Sequence, residues 1–223
     1  MPSEPLPDVS HQRRRAVVAT AAVAMLGALA TGCITGERPE LETVPIVDDA
    51  AASVVLERLE RADSIRFTAT YDVIPTTTGE TTEAIVRQVD GRRRITFGDI
   101  DYLSDVASSR TCRLSDGECV DGLDDALISD LNITHRFWSD GIAARLTVDA
   151  ARRVGFSEGH TETIAGRPAA CADVPVLGGE VVYCALDAGV LARYFNADAT
   201  IELTSFSNDV DTAALESDTD PRL

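Results

Sequence analysis

The clearest pattern in the chain is a strict alternation of apolar and polar residues from Ile65 to Val73 (IRFTATYDV). Alternation with a period of two predicts an antiparallel strand with one buried face. Two further strand-like runs, Thr82–Val89 and Arg92–Phe97, flank the pair Asp90-Gly91. An Asp-Gly pair between two such runs is typical of a tight hairpin. The region therefore predicts a β-meander.

The rest of the chain mixes helical and strand-like patterns. Asp48 and Asp49 offer an N-cap to a helix in which Ala51, Val55, Leu59 and Ala62 recur at helical spacing, and we expect it to end near Asp63. Two further segments have helix-like spacing, Leu123–Leu131 and Ile142–Val154. Six further segments have strand-like patterns: Ile100–Val106, Ser109–Val120, Glu162–Pro175, Glu180–Leu186, Val190–Asn196 and Thr200–Ser207. The pattern predicts one α+β domain over residues 48–216, followed by a disordered tail, 217–223.

The N-terminal region has the pattern of an export signal. Three arginines at residues 13–15 precede fifteen uncharged residues, 16–30, which lead into small residues and Cys33. A basic segment, an apolar segment and a small-residue end are typical of a signal peptide. The stretch Ala30-Thr31-Gly32-Cys33 resembles the lipobox of bacterial lipoproteins, although its first position is Ala30 where an aliphatic residue is usual.

The lipobox resemblance implies that residues 1–32 are a signal peptide and that Cys33 carries a diacylglycerol. Two acyl chains hold a protein firmly on a bilayer, whereas one binds marginally. Residues 33–47 would then be a flexible tether to the outer leaflet, at the extracytoplasmic face of the cell membrane. Three alternatives stay open: a chance cysteine at the end of an ordinary signal, an uncleaved N-terminal anchor, and export by a twin-arginine route through Arg14-Arg15.

Four cysteines remain beyond Cys33, and an exported setting favours disulfides over zinc ligation. If Val176–Gly179 forms a hairpin loop, Cys171 falls opposite Cys184. Cys112 and Cys119 likewise flank a Ser-Asp-Gly turn. Of the three possible pairings, local spacing favours Cys112–Cys119 with Cys171–Cys184. No C-x-x-C unit is present, so no metal site is predicted.

The charge and the lack of lysine exclude several classes of function. The formal charge of −17 argues against nucleic acid as a partner, because phosphate binding needs a basic face. All 20 Lys+Arg residues are arginine, which excludes a P-loop clamp and lysine Schiff-base chemistry. The run Arg92-Arg93-Arg94 is interpreted as a solvated strand edge.

No catalytic pattern stands out. His135 and His160 are interpreted as structural or surface residues, and neither a nucleophile elbow nor an H-E-x-x-H helix is present. The acidic groups lack the calcium-loop pattern. The sequence therefore predicts a protein that is not an enzyme and needs no cofactor.

The order of elements resembles the LolA/LprG-type lipoprotein-carrier architecture of bacterial envelopes. The stretches that carry this resemblance are ERADSIRFTATYDV, the Asp90-Gly91 hairpin and the run from residue 162 to 207. The resemblance implies a curved antiparallel sheet, or half-barrel, with helices covering one face and a membrane-anchored carrier of a lipid or another apolar envelope molecule. The alternative is a non-catalytic interaction module whose core is filled with side chains; its protein partner is not identified. Ala69 and Ala84 favour a cavity, whereas Phe67, Tyr71 and Phe97 would fill one.

Overall fold

The computed structural model of the protein describes residues 49–215. The predicted signal peptide, the tether with Cys33 and the tail at 217–223 lie outside these residues. The domain bounds and the lipidation of Cys33 therefore stay predictions.

The described chain is built on one antiparallel sheet of eleven strands. The first six strands form a meander, and the last five form a second one. In chain order they are β1 (Phe67–Pro75), β2 (Thr82–Val89), β3 (Arg92–Phe97), β4 (Ile100–Ser104), β5 (Ser109–Arg113), β6 (Cys119–Asp121), β7 (Glu158–Ile164), β8 (Arg167–Val176), β9 (Gly179–Leu186), β10 (Leu191–Phe195) and β11 (Ala199–Ser207).

The two meanders join where β1 pairs with β11, and the sheet is open, with β6 at one edge and β7 at the other. Tyr71 faces Leu203 and Val73 faces Ile201 across this junction, which contains an irregularity between Thr70 and Tyr71. The predicted antiparallel sheet is confirmed. The cover of one whole face by helices stays a prediction.

Two α-helices pack near the second meander. Helix α1 (Ala50–Leu59) begins at Asp49, whose carboxylate accepts a hydrogen bond from the Ala52 N–H at 3.0 Å. Its buried residues are Ala52, Val55 and Leu59, and it contacts β7, β8 and β9. Helix α2 (Asp140–Ala151) contacts α1 and β8. The predicted cap is confirmed at Asp49, and Val55 and Leu59 of the predicted stripe are buried in α1. Ala52 is buried in place of Ala51, and Ala62 lies beyond the helix, which ends four residues earlier than expected.

Short 3₁₀ helices, labelled η1 (Ala62–Ser64), η2 (Asp125–Leu131) and η3 (Ala213–Leu215), complete the fold. The pattern over Leu123–Leu131 indicated a helix, but η2 is a kinked 3₁₀ segment with non-helical geometry at Ile128. The run Glu162–Pro175 was expected to be one strand. It is split instead between β7 and β8 by a turn at Ala165-Gly166, where both residues have positive φ.

Aromatic rings fill the inner face of the first meander, which we define as the face carrying Phe67 and Tyr71. Trp138, between η2 and α2, lies 5.3 Å from Phe67 between ring centres. Phe137 lies 5.0 Å from Tyr71 and 5.2 Å from Phe97. All five side chains are buried. Side chains therefore occupy the centre of this face.

The interpretation of Arg92-Arg93-Arg94 as a solvated edge is wrong, because β3 is an inner strand flanked by β2 and β4. The Arg93 guanidinium lies 4.5 Å from the centre of the Trp138 ring, and its Nε donates to the Gln88 side-chain oxygen at 2.8 Å. Burial lowers the pKa of Arg93, and the nearby carboxylate of Asp63 opposes that shift. An aromatic face and a carboxylate stabilise this cation.

Residues 49–215 contain two disulfides, Cys112–Cys119 and Cys171–Cys184, the pairs that the hairpin spacing favoured. Cys171 lies directly opposite Cys184 because Pro175 pairs with Glu180. Disulfides of this kind indicate an oxidising compartment outside the cytoplasm. Within residues 49–215, no helix has the length and apolar character that a membrane span requires.

Candidate ligand-binding cleft

A cleft of about 540 Å³ lies between η2, helix α2 and strand β10. Its apolar wall is formed by Ile133, Phe137, Ile142 and the ring of Tyr194. This volume falls within the range of roughly 300–1,000 Å³ that is usual for small-molecule sites. The cleft adjoins the aromatic cluster, since Phe137 belongs to both.

Hydrogen bonds hold the segment that forms the cleft wall. Asp124 caps η2 by accepting from the Ala126 N–H at 3.0 Å, and its backbone oxygen accepts from the Tyr102 hydroxyl at 3.0 Å. At the other end, the Leu191 N–H donates to the Trp138 backbone oxygen at 3.0 Å, which ties the segment to β10. The wall is thus attached to both meanders of the sheet.

His135 fixes the loop between η2 and α2. Its backbone N–H donates to Asp125 Oδ1 at 2.7 Å, and its Nδ1 lies 2.9 Å from the same oxygen. The imidazole ring also packs at 5.6 Å from the Tyr102 ring. The structural interpretation of His135 therefore agrees with its position.

Tyr194 carries the one polar group buried in the apolar wall. The residue is 2% exposed, and its hydroxyl has no hydrogen-bond partner in the described chain. Burial raises the pKa of Tyr194 to about 12. Asn196 lies beside it: its side-chain oxygen accepts from the Asp198 and Ala199 N–H groups, at 3.0 and 2.8 Å, and its side chain acts on the Tyr194 hydroxyl by lowering the pKa against the effect of burial. A buried hydroxyl without a partner is uncommon in native proteins.

Charged and polar groups line the mouth of the cleft. Arg145, on α2, is exposed and lies 5.6 Å from the centre of the Tyr194 ring. Asp125 and Ser129 line the η2 side. The cleft therefore combines an apolar interior, a buried hydroxyl and a cation near the entrance, and this arrangement suits an amphipathic molecule.

The opposite face of the sheet carries a separate charged cluster around His160. Its Nε2 lies 3.1 Å from Glu162 Oε1, and its Nδ1 lies 3.3 Å from Asp173 Oδ2. Arg193 pairs with Glu162 and Glu202, and the hydrogen bond from His160 contributes most to lowering the pKa of Glu162.

His160, Glu162 and Cys171 lie close enough together to suggest a metal site. The Cys171 sulfur, however, is bonded to Cys184, so it cannot act as a thiolate ligand. The remaining groups are satisfied as ion pairs across the strands.

The sequence did not single out the cleft residues. Tyr194 lies in the run Val190–Asn196 that was predicted as a strand, but a strand pattern does not reveal a missing hydrogen bond. Ala69 and Ala84 are fully buried, as are Phe67 and Tyr71. Both sets of expectations are thus met in part: rings fill the centre, and the space that is left lies beside them.

Comparisons with known proteins give a distant likeness. No protein-family profile and no curated protein matches the chain. Among solved structures, a chain of the Pseudomonas aeruginosa MucA/MucB complex is 16% identical with a TM-score of 0.48, covering 75% of this chain. A DUF1329 family protein from Desulfovibrio piger is 10% identical with a TM-score of 0.34, covering 74% of this chain and 96% of that one.

The chain spans 61% of the length of the MucA/MucB chain that it matches. These identities and TM-scores do not assign the protein to a family. The resemblance to LolA/LprG-type carriers therefore stays a prediction.

Proposed function

We propose that this protein is an exported lipoprotein, held at the outer face of the membrane by Cys33, which binds a lipid or a similar amphipathic molecule without catalysing its conversion. The observation that carries the binding proposal is the unpartnered Tyr194 hydroxyl in the apolar wall of the cleft. A ligand group that accepts or donates a hydrogen bond there would satisfy a polar atom that is already desolvated.

Physical chemistry supports an apolar ligand with one polar end. Apolar area removed from water contributes about 25 cal/mol per Å², so an alkyl segment against Ile133, Phe137 and Ile142 supplies most of the affinity. A hydrogen bond to the Tyr194 hydroxyl adds about 0.5–1.5 kcal/mol net, and it favours a ligand whose polar group reaches that hydroxyl. Arg145 at the entrance favours a ligand whose head group is anionic or polar.

The membrane location is supported by the N-terminal pattern and by the oxidised cysteines. The basic and apolar segments before Cys33 fit a lipoprotein signal. The Cys112–Cys119 and Cys171–Cys184 disulfides fit an exported domain. Intact-mass analysis of the native protein tests the anchor, because the mature chain should begin at a diacylated Cys33. An unmodified Cys33 with residues 1–32 attached would contradict it.

A second candidate is an interaction module that binds a protein partner and holds no ligand. The packing of Phe67, Tyr71, Phe97, Phe137 and Trp138 favours it, because these rings occupy the part of the inner face where a deep acyl-chain cavity was expected. The two candidates differ in whether the cleft beside the rings is occupied in the cell.

Solvent extraction followed by mass spectrometry separates the candidates. Full-length protein is purified from membranes, and the extract is compared with that of Ser129→Trp, in which a large ring is placed at the exposed mouth of the cleft. The matched control is Ala144→Trp, on an exposed position of α2 outside the cleft lining.

The binding proposal predicts a co-purified lipid that falls at least about tenfold in Ser129→Trp and is retained in Ala144→Trp. Lipid covalently attached at Cys33 is counted separately, by intact mass. An extract of the wild-type protein without bound lipid would support the interaction module. Equal lipid in both variants would place the ligand elsewhere.

A further inference from the structure

Two large apolar side chains stand almost fully in solvent at one corner of the domain. Phe156, in the loop between α2 and β7, is 93% exposed, and Leu177, at the tip of the β8–β9 hairpin, is 87% exposed. Val154 is exposed as well. Single exposed apolar residues are common, but neighbouring ones at a loop tip mark interaction surfaces. We call Val154, Phe156 and Leu177 the apolar corner.

The two loops that form the apolar corner lie against each other. A Cβ atom placed on Gly155 would lie 3.1 Å from Pro175 Cγ. Phe156 follows Gly155 directly, and Leu177 is two residues beyond Pro175, so both residues lie near this contact.

The residue types at the hairpin tip are unusual for their geometry. Val176 pairs with Gly179, which leaves Leu177-Gly178 as a two-residue turn. Such turns normally carry Asn, Asp or Gly, because these residues suit the backbone and water. Gly178, with φ of +94°, meets the backbone requirement, but Leu177 packs on nothing that would explain an apolar side chain there.

The described chain begins at this same corner. The Asp49 carboxylate, just before α1, accepts a hydrogen bond from the Ser157 N–H at 3.1 Å. Ser157 follows Phe156, so the start of the described chain is held beside the apolar corner. Cys33 lies only sixteen residues before Asp49 in the sequence. A stretch of that length reaches at most about 3.3–3.6 Å per residue, so attachment at Cys33 limits how far this corner can lie from the bilayer.

The charges around the corner are mixed. Arg152 pairs with Asp149 at 3.2 Å, Arg153 is exposed, and Glu158 and Glu180 lie on the adjoining strand ends. A surface with both signs does not favour a strongly charged partner. The apolar corner instead suits a partner that accepts apolar side chains next to polar head groups.

We propose that the apolar corner docks on the lipid bilayer beside the anchor, with Phe156 and Leu177 inserted between the head groups. This inference rests on the proposed attachment at Cys33, which brings the corner to the membrane. Insertion gives the domain a defined orientation, in which the β8–β9 hairpin tip faces the bilayer and the β4–β5 turn points away from it.

Tryptophan quenching by brominated lipid tests the docking. Full-length Phe156→Trp is reconstituted in phosphatidylcholine vesicles with and without bromine on the acyl chains. The matched control is Val106→Trp, because Val106 is equally exposed, at 93%, in the β4–β5 turn at the other end of the strands. The native Trp138 is fully buried and contributes a constant background.

Docking predicts that bromine reduces the emission of the tryptophan at position 156 by about half or more and leaves that at position 106 unchanged, as expected for aromatic side chains that insert at the interface. Quenching of neither position, or of both equally, would overturn the proposal. So would a blue shift at position 156 that grows with protein concentration in the absence of vesicles, because it would show that a second copy covers the corner.

A second arm separates this proposal from the anchor. In Cys33→Ser the lipid cannot be attached, and the intact mass reports whether the apolar segment 16–30 remains as an anchor. Quenching at position 156 in that variant would support docking even if lipidation fails. Lipidated protein without quenching would refute docking and leave the anchor intact.

Discussion

The two halves of the sheet cover their inner faces by different means. In the first half, β1–β6, rings supplied by the segment before α2 pack on Phe67, Tyr71 and Phe97. In the second half, β7–β11, small inward residues lie beside larger ones such as Tyr183 and Ile201, and helix α1 lies on β7, β8 and β9. Fully or nearly fully buried alanines line the strands there: Ala170, Ala172, Ala185 and Ala192.

The difference shows that the size of the inward side chains decides how closely a covering segment can pack on the sheet. Alanine side chains let a helix backbone come close to the sheet, and a Cβ placed on Gly159 of β7 would lie only 3.1 Å from Ala51 Cβ of α1. Large rings on the sheet keep the backbone of a covering segment at a distance, so the space between them is filled by rings from that segment. The cleft lies where the two kinds of packing meet, at Phe137 and Tyr194.

The largest expected effect is on the ring-filled half. Trp138→Ala removes a fully buried indole that contacts Phe67 and Arg93, and we expect the free energy of unfolding to fall by about 3–5 kcal/mol. Urea unfolding measures the change. The control Phe156→Ala should change it by less than about 0.5 kcal/mol, because the side chain is exposed. A loss below about 1 kcal/mol for Trp138→Ala would contradict the ring-filled core.

The disulfides give the next comparison, because one lies in each half. Cys171–Cys184 is buried and joins inner strands, whereas Cys119 of the other pair is exposed on the edge strand β6. In the chain-entropy model their loops contribute roughly 3 and roughly 2.5 kcal/mol.

Replacing both cysteines of a pair by alanine should therefore destabilise the protein more for Cys171 and Cys184, since that change also leaves a buried gap. Thermal unfolding under oxidising conditions checks the order. A larger loss from the edge pair, Cys112 and Cys119, would show that the first half depends more on its covalent link than on its rings.

The smallest expected effect on stability lies in the cleft, where the two kinds of packing meet. Tyr194→Phe removes a buried hydroxyl that has no partner, so stability should change by less than about 0.5 kcal/mol or increase slightly. Retention of bound lipid in the extraction assay should fall by about 5–10-fold, because the ligand loses its hydrogen bond. A clear loss of stability in the ligand-free protein would show that the hydroxyl has a structural partner.

Sequence patterns predicted the parts of the fold that depend on neighbouring residues. Alternation placed β1 and its buried face, Asp90-Gly91 placed the β2–β3 turn, and hairpin counting brought Cys171 opposite Cys184. Asp49 at the start of α1 followed from capping chemistry.

Contacts between distant residues were not predictable from the same patterns. The β1–β11 pairing that joins the meanders has no local signal. Arg93 resembled a surface arginine because its partner Trp138 lies 45 residues further along the chain. The cleft likewise depends on where η2 and α2 pack, which the apolar spacing of either segment does not determine.

Photolabelling tests the central claim most directly. Full-length protein in its native membrane is exposed to a fatty acid that carries a photoreactive group on its alkyl chain, and labelled peptides are mapped by mass spectrometry. The account predicts labels between Asp125 and Arg145 and around Tyr194, the segments that line the cleft, and predicts their loss in Ser129→Trp. Labels confined to the loops carrying Phe156 and Leu177, with none in the cleft, would contradict it.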